Sequence, residues 1–344
     1  MLLKKKILAA LSVVTLSAVM LAGCGGSDQA AKSSGSGSGD KIVLRYAENQ
    51  SSDYPTTKAA NKFADLVKEK TNGKITVQVY DGAQLGDEKS VVEQMQYGGI
   101  DFARVSLSPL SEFSKNLNAL QLPYLYKDGP HMWKVLESKI GDDLLASVQE
   151  KGIIGLAWVD AGARNFYTTK APIKTLEDLK GLKIRVQESS MMMDMIRALG
   201  ASPTPMPYGE VYSGLQTGII DGAENNWPSY ESTSHYEVAK YYTIDEHNRV
   251  PEMMICSKQT WDKLSADDQK IVKDCALEAA KYERDEWAKR EKSAEDKVKA
   301  GGAVITTLSD VEKKKFEDAM QPVYDKYATP YKDIVDQIKA MQKD

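Results

Sequence analysis

Arg185 is the residue in this chain best placed to do chemistry. It lies in Lys183-Ile184-Arg185-Val186, where Leu182, Ile184 and Val186 alternate with Lys183, Arg185 and Gln187. That period-2 pattern predicts a strand with one face packed inward. A helix is expected from near Ser189, so the guanidinium stands where open α/β sheets hold ligands, and its planar fork suits a carboxylate. Enzymatic chemistry has less to work with. His131, His235 and His247 include no pair at metal-ligand spacing, and neither a G-x-S-x-G elbow nor a P-loop occurs. No metal or cofactor is expected. His131, in Gly129-Pro130-His131-Met132-Trp133, reads as a packed residue at a helix start. His247, in Asp245-Glu246-His247, has acidic neighbours that would raise its pKa, and a solvated turn is the expected setting. Paired carboxylates could mimic a hydrolase site, but nothing in the pattern singles out such a pair.

The elements that must position Arg185 alternate between strand and helix. Ile42–Ala47 reads as a strand and Thr56–Lys70 as an amphipathic helix with Ala59, Phe63, Leu66 and Val67 on one face. Asn72-Gly73 turns the chain into a strand over Ile75–Tyr80, followed by a helix over Glu88–Tyr97 and a strand over Asp101–Ser106. A second series predicts strands over Ile153–Val159 and Phe166–Thr169, a short helix over Leu176–Lys180, the Leu182–Gln187 strand and a helix over Met191–Leu199. Thr175 with Asp178 signals the short helix's start and Gly181 its end. This βαβ order predicts parallel sheets covered by helices. Met191, Met192, Met193 and Met195 read as adaptable packing.

Ser265–Lys299 is different, with no Pro or Gly inside and Gly301-Gly302 as a stop. It predicts a helix of roughly 50 Å, with an apolar stripe of Ile271, Cys275, Ala279 and Tyr282. Glu286–Arg290 and Glu295–Lys299 are spaced as i,i+4 ion pairs.

The N-terminus addresses the chain. Lys4, Lys5 and Lys6 precede an apolar run from Ile7 to Leu21, a secretory leader shorter than a transmembrane span. Leu21-Ala22-Gly23-Cys24 resembles a bacterial lipobox, which implies a signal peptide over 1–23 and lipidation of Cys24. Residues 24–40 then form a Gly/Ser-rich tether with a reach of roughly 20 Å, anchoring an exported body at the extracytoplasmic face of a membrane. Removing the leader takes three lysines and moves the formal charge from −4 to −7. With no basic stripe, nucleic acid is not expected as a partner. Cys256 and Cys275 could form one disulfide in an oxidising compartment, and two free buried thiols are the favoured reading.

The block from Asp178 to Asn226, DLKGLKIRVQ followed by LGASPTPMPYGEVYSGLQTGIIDGAEN, resembles the signature region of TRAP-type solute-binding proteins. These are the extracytoplasmic receptors of tripartite ATP-independent transporters. The likeness extends from Ile42 to the C-terminus. It implies an α/β, two-lobe fold like that of periplasmic binding proteins. Each lobe would hold a mixed, mostly parallel sheet flanked by helices, with the long helix spanning both. Residues 41–160 would form mainly the first lobe and 161–250 mainly the second. Residues 251–344 would supply a strand returning to the first lobe, the long helix, and segments packing on both.

Carried over residue by residue, Arg185 matches the arginine that pairs bidentately with a substrate carboxylate. Arg164, in Gly162-Ala163-Arg164-Asn165-Phe166, matches a second arginine that approaches the acid in sialic-acid-type members. Asn225 matches an asparagine that binds the carboxylate or a neighbouring hydroxyl. Asn49 and Glu88 match positions contacting polyol groups, and Tyr208 matches an aromatic that packs on the ligand ring. Read without the resemblance, Asn49 is a turn residue and Glu88 a helix start. Ser106 stands where some sugar-acid receptors carry a glutamate, a departure that disfavours sialic acid. Glu48, Arg104, Asn226 and Trp227 adjoin these positions and are candidate specificity groups. The resemblance implies a monomeric receptor, not an enzyme, that hands a small organic acid to membrane permease subunits. A sugar acid such as a hexuronate or aldonate is the leading ligand, with a C4-dicarboxylate as the alternative. Outside the family, a surface lipoprotein hydrolase and a sensor-linked receptor are the other readings.

Overall fold

The computed structural model describes residues 41–343; the leader, the Cys24 motif and the tether lie outside the described residues. In chain order the described strands are β1 (Ile42–Ala47), β2 (Ile75–Tyr80), β3 (Phe102–Ser106), β4 (Ile153–Val159), β5 (Arg164–Thr168), β6 (Lys183–Val186), β7 (Ser202–Pro205), β8 (Gly222–Asn225), β9 (Tyr241–Asn248), β10 (Glu252–Ser257) and β11 (Val304–Thr307). They form two sheets, in the orders β2-β1-β3-β10-β4 and β11-β9-β5-β8-β6-β7. Helices flank both, giving a two-lobe α/β architecture.

The strand–helix alternation predicted parallel sheets, and the sheets are mixed. β10 enters the first sheet from far along the chain and runs antiparallel between β3 and β4, and β5 runs against both β8 and β9. Local periodicity reports that a segment is a strand, not which way a distant neighbour runs. The chain passes between the sheets through two short segments, 160–163 and 249–251. Gly162 in the first has φ +59°, and an added Cβ there would lie 3.0 Å from the Trp287 ring, so the crossing depends on glycine.

Helix Pro55–Lys70 shows how the lobes are held. It starts with proline at its first position and buries Ala59, Ala60, Phe63, Leu66 and Val67 against the first sheet. Phe63 meets Phe102 of β3 edge-on at 5.1 Å, and burial of one such side chain stabilises by about 1.5–3 kcal/mol. A core shared by both lobes joins Val105 and Met253 to Phe166, Ile184 and Val186, with Phe316 and Ile338 from the C-terminal helices. Met191, Met192 and Met195 fill this core and Met193 packs at its edge. Cys256 and Cys275 are free and buried.

The long helix is Ala266–Ala300, capped by Ser265, whose Oγ accepts the Asp268 N–H at 3.2 Å. Its first half packs Val272, Cys275, Ala276 and Ala279 on the first lobe, and Ala294 and Val298 pack on the second. The buried stripe is shifted from the expected one. Ile271 and Tyr282 are only half-buried, while Val272, Glu283 and Trp287 are covered. Glu295 pairs with Lys299 at 2.5 Å as expected. Glu286 and Arg290 do not pair with each other. Glu286 meets Lys58 at 2.9 Å, and Arg290 bridges Asp53 at 2.9 Å and Glu231 at 2.5 Å, because charges on both lobes face this helix.

Candidate ligand-binding site

The site forms where strand ends of the two sheets face each other. On the first lobe, β3 supplies Arg104, whose side chain is 2% exposed, and three carboxylates surround it. Glu48 follows β1 and meets Nε at 3.1 Å. Glu88 meets Nη1 at 3.0 Å, and Glu252 meets the same atom at 3.2 Å. Asn49 accepts from Nη2 at 2.5 Å. Sheet register explains part of this cluster, since Glu252 at the head of β10 lies opposite Ser106 at the end of β3. Glu88 opens helix Glu88–Gln96 and also accepts the Ser106 N–H at 2.9 Å. Burial pushes the Glu252 carboxyl up to about 8; Arg104 opposes this, and Glu88 and Glu48 add to it. Burial raises Glu88 as well, against the pull of Arg104. The cluster therefore retains a proton at neutral pH, and Arg104 is fully compensated.

On the second lobe Arg164 and Arg185 have different surroundings. Arg164, at the start of β5, grips Glu224 of β8 through Nε and, at 2.9 Å, through Nη2. Nη2 also donates to the Glu224 carbonyl at 2.9 Å. Burial alone would raise Glu224, but Arg164 and His247 outweigh it and hold the carboxyl down at about 2. His247 is not in a solvated turn. It lies buried in β9, its Nε2 3.4 Å from Glu224 and its Nδ1 3.0 Å from Asp245. Glu246 has a left-handed φ of +47° and is exposed, which leaves buried Asp245 as the near acid. Burial would lower the imidazole, but Asp245 and Glu224 pull it up to about 9.

Arg185, on β6, has no such partner. Its Nε and Nη2 donate to the Met206 carbonyl at 3.0 and 2.7 Å. Among the described residues no carboxylate pairs with it, although the residue is only 2% exposed. Burial accordingly lowers its pKa. The expected one-sided strand holds only at its start, where Lys183 is exposed, because the other face of β6 closes over as the cleft wall and buries Arg185 and Gln187. The Tyr208 ring lies 6.0 Å from the guanidinium. Among the described residues Gln187 Oε1 is buried without a hydrogen-bond partner, and the Tyr208 hydroxyl stands beside Ser229, Gln50 and Ser232.

The cavity these groups line has a volume of about 20 Å³, well below the roughly 300–1,000 Å³ usual for small-molecule sites, so a ligand requires the facing walls to part. From the sequence-based candidates it gathers Arg185, Arg164, Asn225, Asn49, Glu88, Tyr208, Arg104 and Asn226. Asn226 is largely committed elsewhere, capping helix Trp227–Ser232 through the Ser229 N–H at 2.7 Å and donating to the Ala161 carbonyl at 2.9 Å. Glu48 stands behind Arg104. Ser106 reaches the site through its backbone, and its buried hydroxyl has no partner. Trp227 is not in the lining; its ring stacks on Tyr242 at 3.9 Å in the second-lobe core. Gln50, Gln187, Ser229 and Glu252 line the cavity without having been singled out from sequence. The available signal for Glu252 was an acid at the head of a mostly apolar strand; Glu224, between Ala223 and Asn225, carried no such signal.

The chain matches the family described as bacterial extracellular solute-binding protein, family 7, over residues 46–330. It is 39% identical over 281 residues to a solute-binding protein of Chromohalobacter salexigens, covering 82% of this chain and 83% of that one. It resembles the crystal structure of a TRAP periplasmic solute-binding protein from Xanthobacter autotrophicus Py2 with bound β-D-galacturonate. That match has a TM-score of 0.84 and 43% identity, covering 86% of this chain and 99% of the other. A TRAP periplasmic solute-binding protein from Roseobacter denitrificans with bound β-D-glucuronate is similar at TM-score 0.84 and 40% identity, covering 87% and 99%.

Proposed function

The chain belongs to family 7 of the bacterial extracellular solute-binding proteins, the receptors of TRAP transporters, and we propose that the acid it captures is a hexuronate. It is a receptor and not an enzyme. One observation carries the ligand assignment: three arginines line the cavity, and only Arg185 lacks an acid. Arg104 is held by Glu48, Glu88 and Glu252, and Arg164 by Glu224. A buried unpaired guanidinium costs several kcal/mol, which a ligand carboxylate offsets. The site therefore asks for one negative charge. A C4-dicarboxylate brings two, and its second would face Glu88 and Glu252. The unpartnered Gln187 Oε1 asks instead for a hydroxyl, as does the amide-rich wall of Asn49, Gln50 and Asn225. A sugar ring with a single carboxylate meets both demands, and uronates are the ligands of the two solved relatives.

In this reading Arg185, with Asn225 beside it, fixes the carboxylate, Tyr208 packs on the ring, and Asn49 with Glu88 meets hydroxyls from the first lobe. Closure is favoured because the ligand touches both lobes only when they are together. Arg164, Arg104 and Glu48 shape the charge of the site without meeting the carboxylate. We read Cys24 as the lipidated residue that anchors a monomer outside the cell membrane, from which the closed receptor delivers its acid to the permease. Calorimetric titration with galacturonate, glucuronate, galactonate, succinate and malate tests the assignment. A uronate is expected to bind most tightly; tightest binding by succinate or malate would refute it.

A further inference from the structure

Beside the ligand cavity lies a second, partly open chamber of about 270 Å³, and the two share Asn49, Gln50 and Tyr208 in their linings. Their chemistry differs. The first is lined by three arginines and two glutamates, while the second has no aspartate, glutamate, lysine or arginine in its lining. Its one titratable base, His235, is buried and bonded through Nδ1 to the Tyr167 hydroxyl at 2.8 Å. Burial, with Arg185 nearby, brings that imidazole down to about 3, so it is neutral. Tyr208 and Tyr212 cluster around it with ring centroids at 6.2 and 6.5 Å. The Tyr208 and Ser232 hydroxyls are buried there beside each other. Aromatic surface combined with neutral hydroxyls and amides matches a neutral sugar ring, which offers C–H faces and hydroxyls but no charge.

We propose that the receptor also takes aldobiouronates, disaccharides in which one uronate is joined to one neutral sugar. The uronate occupies the arginine cavity and the neutral ring the second chamber. This rests on the hexuronate reading and extends it. The uncharged lining also excludes a second uronate ring, because its carboxylate would be desolvated with no cation to meet it.

The test is titration with the free uronate, with glucuronosyl-xylose and galacturonosyl-rhamnose, and with digalacturonate. Two variants fill the second chamber without touching the first: Gly209→Phe, where an added Cβ meets nothing within 4 Å, and Ser51→Trp on an exposed loop. The free uronate serves as the folding control in each variant. At least one aldobiouronate is expected to bind within tenfold of its free uronate. At least one filling variant is expected to weaken that disaccharide tenfold or more while changing the free uronate less than twofold. If the free uronate binds and both aldobiouronates fall outside tenfold, or if the variants weaken both ligand sizes alike, the second chamber is not a sugar subsite and the hexuronate reading stands. Digalacturonate binding as tightly as an aldobiouronate overturns the neutral-ring assignment. If no free uronate binds the unmodified protein, the hexuronate reading itself fails, and this proposal with it.

Discussion

Replacing Glu224 by glutamine tests why Arg185, and not Arg164, is the cation left for the ligand. The change is nearly isosteric and removes one buried negative charge. In the native protein that carboxylate is held at about 2 against an ordinary value of 4.5, a difference worth about 3 kcal/mol. Breaking a buried ion pair by removing one partner costs about 3–5 kcal/mol, which agrees. At about 2 °C per kcal/mol for a body of this size, thermal unfolding followed by circular dichroism should drop by about 6–10 °C at pH 7. The sign of the pH dependence follows from the lowered pKa. The contribution of Glu224 is complete above 4.5 and is lost as pH falls from 4.5 towards 2. The gap between native protein and Glu224→Gln should therefore narrow over that range. The variant also leaves Arg164 as a second unpaired cation, so succinate affinity should rise at least tenfold. A drop below 2 °C at pH 7, a gap that is constant with pH, or unchanged succinate binding would refute the reasoning.

Three further outcomes follow from the same charges. Arg185→Ala should weaken uronate binding by about 2–5 kcal/mol, roughly 30- to several-thousand-fold, by calorimetry, with Arg185→Lys recovering only part of the loss. Uronate affinity should fall as pH rises through about 8, because Glu252 then ionises beside Arg104, Glu88 and Glu48 and adds negative charge facing the ligand. Dissociation constants at pH 6.5 and 9 should differ in the native protein and differ less in Glu252→Gln, where His247, held up at about 9, is still titrating; equal values in the native protein would contradict this. Cys24→Ser should release the receptor from the membrane fraction and abolish incorporation of labelled fatty acid, and continued membrane retention would show another anchor.

Local periodicity was enough to read most of the elements. Ile42–Ala47, Ile75–Tyr80 and Ile153–Val159 are strands over the residues expected, and the long helix begins at its Ser265 cap. These segments bury one regular face, so their pattern carries their structure. The orientation of β10, the pairing of Arg290 and the setting of His247 were not legible, because each is decided by a residue brought from another part of the chain. The site divides in the same way. Arg185 stood out by its place at the end of a strand, and the resemblance located Arg164, Asn225, Asn49 and Glu88. In sequence the three arginines have equal standing. What separates them is register, which sets Glu224 on Arg164 and Glu252 on Arg104 and leaves Met206 to offer Arg185 only a carbonyl. Trp227 shows the opposite error, adjacent in sequence to the site but turned into the core by the helix it begins.

The most direct test of the account is a crystal structure of the receptor with the hexuronate that binds it most tightly. The account predicts the ligand carboxylate within about 3 Å of the Arg185 guanidinium, with Arg164 still on Glu224 and Arg104 still among its three acids. A carboxylate seated on Arg164 or Arg104, with Arg185 left on the Met206 carbonyl alone, would contradict it.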